Sequence, residues 1–232
     1  MEPNVDLDIL FEDNHLIIVN KRSGEIVQGD KTGDEPMSEK VKRYIKQKYN
    51  KPGDVFIGTP HRIDRPTSGI VIFAKTSKAL MRLNKMFQDK EIQKTYWAIV
   101  KNPPKNKEGK LIHYLKKNEA KNKSFAQETM FQGAKVAELT YKIIFDFDNY
   151  FLLEILPKTG RHHQIRVQLS EMGCPIKGDL KYGFNRSNKD ASISLHARKI
   201  SFLHPVRKEQ MEVVASVPSD DPLWMKANEI FG

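Results

Sequence analysis

One carboxylate stands out by its setting. Asp64 lies in the run His61-Arg62-Ile63-Asp64-Arg65-Pro66-Thr67-Ser68-Gly69, with Arg62 and Arg65 close on either side. Val55-Phe56-Ile57 precede the run and Ile70-Val71-Ile72-Phe73 follow it, so the pattern predicts strand, irregular turn, strand. An acid on a turn held by strands can be aimed at a substrate, which is what a nucleophile or general base requires. The plain alternative is a turn aspartate salt-bridged to its arginine neighbours. A second dense stretch is Thr159-Gly160-Arg161-His162-His163-Gln164-Ile165-Arg166-Val167. It predicts the opening of a helix capped by Thr159 or Gly160, with an apolar stripe of Ile165, Leu169 and Met172 and an end at Gly173. Arg161, His162 and His163 at a helix N-terminus suit a phosphate. His162 and Arg166, four apart, share a face of that helix, whereas the adjacent His162 and His163 diverge. With that divergence and no cysteine nearby in sequence, a metal site is not expected.

Several elements are needed to position these groups. Ile9 to His15 and Leu16 to Lys21 predict a hairpin turning at Glu12–His15 and ending at Ser23-Gly24. Ser38 is a candidate cap for a helix over 39–48, whose stripe of Val41, Tyr44, Ile45 and Tyr49 reads as core. Thr76 or Ser77 is expected to cap a helix reaching about Asp89, with Leu80, Leu83, Met86 and Phe87 on its packing face. Lys94 to Val100 is a strand by composition, on which Tyr96 and Trp97 point to opposite faces. Residues 101–123 hold eight lysines and the pair Pro103-Pro104. They read as a solvated excursion, either a plain surface loop or a phosphate-contacting arm. A hairpin is expected over Thr140–Phe147 and Tyr150–Leu156, then two strands at Ile193–Arg198 and Ile200–Pro205, and a last one at Met211–Val217.

Composition narrows the class. The 232 residues include 39 Lys and Arg against 29 Asp and Glu, a formal charge of +10. That balance favours polyanions, nucleic acid before acidic membrane. Cys174 is the only cysteine, which excludes an internal disulfide and a cysteine-based zinc site. The first eight residues are acidic, unlike a signal peptide, and no apolar run nears the ~20 residues of a membrane helix. The expectation is a soluble cytoplasmic protein.

The Asp64 run, followed by a strand ending in Ala74-Lys75, closely resembles the catalytic segment of RNA pseudouridine synthases of the RluA family. Two further stretches resemble that family in the right order. One is Thr159 to Val167 with Gly178-Asp179-x-Lys181-Tyr182-Gly183; the other is Leu195-His196-Ala197 with Phe202-x-His204-Pro205. The likeness runs from about Ile9 to Pro218. It departs from the family pattern at Arg22, Glu25, Gln28 and His162.

The resemblance implies that Asp64 is the catalytic aspartate, that Tyr96 of Lys94-x-Tyr96 stacks on the target base, and that Arg166 pairs with the catalytic aspartate. It places Val167 beside the base and makes Arg62 a candidate to fill the stack left by a flipped nucleotide. His61, Arg65, Thr67, Arg161, His163 and Gln164 are expected to bind substrate. The fold implied is α+β: the pseudouridine synthase catalytic fold, a mixed, mostly antiparallel central sheet in two halves flanked by helices and loops, with the active cleft between the halves. One catalytic domain over 1–232 is expected, with no separate S4-like RNA-binding domain. The reaction implied is isomerisation of uridine to pseudouridine in structured ribosomal or transfer RNA. It needs no cofactor and no metal, involves no membrane, and would be carried out by a monomer. Two rivals are a non-catalytic RNA-binding or ribosome-assembly protein on the same scaffold, and a glycosidase-like enzyme. The latter usually employs paired carboxylates, and no convincing second acid accompanies Asp64.

Overall fold

The computed structural model describes residues 5–29 and 33–232. Among the described residues, ten strands and four α-helices make the α+β class expected from the strand-rich pattern. The chain divides into two compact units. The first is the described part of Met1–Ile92 with Ala197–Ser216, and the second is Gln93–His196 with Val217–Gly232.

In the first unit, β1 (Ile9–Glu12) and β2 (Leu16–Lys21) form the expected hairpin. Asp13 Oδ1 closes its turn by accepting from His15 N and Leu16 N, both at 2.8 Å. β2 also pairs antiparallel with β3 (Ser68–Ala74), which is buried along its whole length. β3 lies between β2 and β9 (Leu195–Leu203), and β10 (Gln210–Val214) pairs antiparallel with β9. A side chain at Gly69 (φ +112°) would put Cβ 2.4 Å from Ala197 O, so the close approach of β3 and β9 requires glycine there. Both edges of β3 are thus taken. Val55–Ile57 consequently form no strand, and only Gly58 bridges to Ala74 at the end of β3.

Helix α1 (Met37–Lys48) begins earlier than the Ser38 cap predicts, with Pro36 at the N-cap position. Ile26 O and Val27 O accept from Met37 N and Ser38 N, so the preceding loop satisfies the first helical donors and no capping side chain is needed. Met37, Val41 and Ile45 form its buried stripe. Tyr44 and Tyr49, expected in the core, instead donate to the carboxylate of Glu12 at 3.1 and 2.8 Å, and Tyr49 is 49% exposed. Helix α2 (Ser77–Gln88) packs on β3 and is capped as expected, Thr76 Oγ1 accepting from Ala79 N.

In the second unit, β4 (Gln93–Val100), β8 (Phe151–Pro157), β7 (Lys135–Asp146), β5 (Glu108–Asn118) and β6 (Lys123–Gln127) follow one another across an antiparallel sheet. Much of the lysine-rich excursion is therefore β5, paired on both sides. Helix α3 (Gln164–Glu171) covers one face, packing Ile165 and Leu169 with Ala98, Leu139, Tyr141, Leu153 and Ile155. The opposite face carries Trp97, Ile99 and Leu152, covered by α4 (Pro222–Phe231) through Trp224 and Ala227. Tyr96 and Trp97 do divide between the faces. The sequence reading missed α4, although Asp221 caps it and Pro222 occupies its first turn, a standard start signal. The two strands expected over 193–205 are one, β9, which runs through Lys199 without a breaker and carries the chain from the second unit into the first. Among the described residues, no helix is long and apolar enough to cross a membrane.

Candidate active site

The Asp64 turn is bonded at three successive carbonyls. Asp64 O accepts from Thr67 N at 3.0 Å, and Arg65 O from Gly24 N at 2.9 Å and Lys21 Nζ at 3.1 Å. Pro66 O accepts from Ser23 Oγ at 3.1 Å. Lys21 also donates to Arg22 O and Glu25 O, both at 2.8 Å, so its three ammonium protons meet three main-chain carbonyls. Its side chain is fully buried. Burial pushes the Lys21 amine down to about 7, against the opposing pull of the Glu25 and Asp64 carboxylates. The sequence reading gave Lys21 no role, because a lysine at the end of a strand carries no local sign of burial.

His61 is committed to the same scaffold: its Nε2 accepts from Ile72 N at 2.9 Å, and its ring lies 4.7 Å from that of Phe87. Ile63 is buried and anchors the run, Asp64 is half-buried, and Arg62 is exposed. Arg65, also exposed, pairs with Asp34 at 2.7 Å. Thr67 is buried, and its hydroxyl meets no hydrogen-bond partner among the described residues. The expected substrate contacts of this run thus separate into outward groups, Arg62 and Arg65, and inward ones, His61 and Thr67.

In the second unit Tyr96 is half-buried on β4 opposite Ile155, against the core that holds Ile165 of α3. Lys94 shares its side of the strand, and burial lowers the Lys94 amine. Arg166 donates through Nε and Nη2 to Asp179 Oδ2 and Oδ1 at 2.7 and 2.9 Å. The two side chains are 5% and 1% exposed, a buried bidentate pair. The carboxylate that grips Arg166 within its own unit is therefore Asp179, in the Gly178–Gly183 stretch noted in sequence. A Cβ at Gly178 (φ +87°) would lie 2.6 Å from Ser192 O, so glycine permits the turn that presents Asp179. Tyr182 supports the pair from another side, its ring 5.1 Å from the guanidinium.

The segment before α3 departs from the sequence reading. The helix starts at Gln164, and His163 is its N-cap in the left-handed region (φ 53°). Thr159 does not cap it. Its hydroxyl donates to Gln164 Oε1 at 2.7 Å and accepts from Glu138 N at 2.9 Å. Gln164 Oε1 also accepts from Arg161 N, and its Nε2 donates to Glu138 O, so the amide is spent on holding this turn. His162 precedes the helix and cannot share a helical face with Arg166. The His162 and His163 rings do not diverge but stack, with centroids 3.8 Å apart, because they lie in a turn. His163 is buried with Nδ1 2.9 Å from the Tyr182 hydroxyl. Burial, reinforced by the Arg166 charge, drives its imidazole down to about 2. It is neutral at ordinary pH and offers a phosphate no charge. His162 Nδ1 lies 2.9 Å from Ser124 Oγ. Arg161 is exposed and donates Nε to Val136 O at 3.0 Å. Val167 is buried among Leu115, Ala126, Ala137 and Tyr182. Among the described residues no cluster of three or more His, Cys, Asp or Glu is arranged to hold a metal ion.

The chain is similar to known proteins. Residues 15–171 match the family model described as RNA pseudouridylate synthase. The ribosomal large subunit pseudouridine synthase C of Buchnera aphidicola is 35% identical over 90% of this chain and 66% of its own length. The tRNA pseudouridine synthase C of Haemophilus influenzae is 30% identical over 97% of this chain and 98% of its own. The chain thus spans about two thirds of the ribosomal relative and nearly all of the transfer-RNA one. The solved structure of human RNA pseudouridylate synthase domain containing 4 superposes with a TM-score of 0.75 over 91% of this chain and 89% of that one, at 24% identity, and so shares the fold. With a family match across most of its length and a relative 30% identical from end to end, the chain belongs to the RNA pseudouridylate synthase family.

Proposed function

We propose that this protein isomerises uridine to pseudouridine at defined positions of ribosomal or transfer RNA, with Asp64 as the essential carboxylate. In this reaction the N1–C1′ bond breaks, the uracil turns, and C5 bonds to C1′. The hydrogen on C5 is lost as a proton and N1 gains one, so the atoms balance within substrate and solvent without a redox partner. The observation that carries the reading is the Asp64 turn, where consecutive carbonyls each accept a hydrogen bond around a buried lysine. Such bonds fix the backbone that carries the carboxylate, which limits the reorganisation needed when substrate arrives.

Tyr96 offers its ring to the detached base, and stacking keeps the uracil bound while it turns. Arg166, its guanidinium fixed by Asp179, keeps the role that the family likeness gives it. A uridine stacked within structured RNA must be extruded before its glycosidic bond can be reached, and exposed Arg62 is the side chain we assign to the vacated stack. The excess of 39 basic over 29 acidic residues favours the polyanionic substrate. We assign the active species as a monomer acting in the cytoplasm.

The test is tritium release from 5-tritiated-uridine transcripts of ribosomal and transfer RNA, offered separately to wild type and Asp64→Ala. Asp64-dependent release from either pool supports the reading. Equal release by wild type and variant removes Asp64 as the essential carboxylate, and no release from either pool, with RNA still bound, favours a binding protein.

A further inference from the structure

In the second unit, β5, β6 and β7 bury alternate residues, such as Leu115, Ala126 and Ala137, against the α3 side. The opposite face of the sheet formed by β4 to β8 is covered only in part. Where Trp97, Ile99 and Leu152 lie, α4 packs over it. Farther across, Ile112, Phe125, Val136 and Leu156 lie open, each 43–47% exposed. Pairing register brings them together. Tyr114 stands opposite Val136 on one side and Gln127 on the other, Lys116 stands opposite Phe125, and Ile112 opposite Glu138. Contiguous apolar and aromatic exposure of this kind marks a binding surface.

Its charge identifies the occupant. Lys110 and Lys158 share the single carboxylate of Glu138, at 2.8 and 3.1 Å, leaving that trio net positive. Lys116 Nζ donates to a neutral carbonyl, Gln132 O, at 3.0 Å, so its charge is not cancelled there. Arg161 lies alongside, on Val136 O. A second copy of the chain would set like charge against like across a two-fold contact, which disfavours self-association through this face. Planar side chains within a basic rim instead suit a polyanion with exposed planar faces. A duplex hides its bases, whereas a single strand offers them for stacking.

We propose that the open β5–β6–β7 face is a docking platform for a single-stranded segment of the RNA substrate, stacking bases on Phe125 and Tyr114 and holding phosphates with Lys110, Lys116 and Lys158. The proposal rests on the isomerase reading for the nature of the substrate. It adds a contact surface formed wholly by the second unit, away from the α3 side that carries Arg166.

Fluorescence anisotropy with a fluorescein-labelled, mixed-sequence 12-nucleotide single-stranded RNA tests it, using wild type, Phe125→Ala, Phe125→Trp and Lys116→Ala. Loss of one stacked base should weaken binding by about 5-fold or more, with Trp restoring affinity to within about 2-fold. Lys116→Ala should flatten the slope of log Kd against log salt by about 0.7. Thermal unfolding checks that the fold survives; because Lys116 is exposed, its variant remains informative should Phe125→Ala unfold. Affinities within about 2-fold of wild type and an unchanged salt slope would overturn the platform. So would a wild-type dimer that Phe125→Ala dissociates. Tritium release by wild type, measured alongside, separates the two ideas. Release with unaltered variant binding defeats the platform alone, whereas lost binding without release supports the platform and defeats the isomerase reading.

Discussion

Replacing Asp179 by Asn removes one negative charge and almost no volume, and its cost follows from the Arg166 pair. Both side chains are nearly inaccessible and joined by two short hydrogen bonds. At about 4 Å between charge centres, an effective dielectric near 20 gives roughly 4 kcal/mol of attraction. Removing one partner of a buried pair typically costs about 3–5 kcal/mol, because the remaining charge loses its bidentate acceptor and cannot regain water there. Asn also turns an NH2 toward guanidinium donors where an oxygen accepted, so we expect the upper part of that range, about 4 kcal/mol. In a chain of this size each kcal/mol moves the midpoint by about 2–4 °C, so Tm should fall by roughly 8–16 °C. Circular dichroism melts at low salt and at ~1 M NaCl should show the same gap, since a buried pair is little screened. The double variant Asp179→Leu with Arg166→Met should recover most of the lost stability, though not turnover. A Tm for Asp179→Asn within about 2 °C of wild type would refute the argument, and a gap that closes with salt would mean that the pair is not buried in solution.

Three other outcomes are expected. Lys21→Met strands carbonyls that its ammonium satisfied, at about 1–3 kcal/mol for each one left unpaired; urea unfolding should register the loss, and kcat should fall more than KM changes, since the Asp64 turn loosens. An unaltered kcat in a stably folded variant would remove Lys21 as a support of that turn. His163 is neutral in the folded protein, with a folded pKa of about 2 against about 6.5 unfolded. Only the unfolded chain gains a proton as pH falls below 6.5, so stability is full above that pH and declines below it by up to about 1.4 kcal/mol per pH unit. Urea titrations between pH 6.5 and 4.5 should show wild type losing about 2–3 kcal/mol more than His163→Gln, and parallel losses would contradict the buried neutral imidazole. Arg62→Ala should leave the melting temperature unchanged while slowing turnover on a structured transcript more than on a single-stranded loop; equal slowing on both speaks against a role in flipping.

Much of this protein was legible in local signals. The β1–β2 and β7–β8 hairpins, α2 with its Thr76 cap, and the split of Tyr96 and Trp97 between sheet faces follow from alternation, turn residues and capping, which act over a few residues. The family likeness was legible too, since three separated motifs survive in the residue order. What misled were segments whose fate depends on distant chain. Val55–Ile57 have strand composition but find both edges of β3 occupied by β2 and β9. The helix start at Met37 needs the carbonyls of Ile26 and Val27, not a cap at Ser38. The lysine-rich stretch has little periodicity of its own and becomes β5 because β6 and β7 pair with it. In the same way Arg166, His163 and Lys21 were visible as residues, while tertiary structure alone decided that Asp179 grips the first, Tyr182 buries the second and the carbonyls of 22, 25 and 65 enclose the third. Sequence determines which groups are available and which short elements they favour. The path of the chain determines which groups lose water together, and burial sets both their partners and their charge.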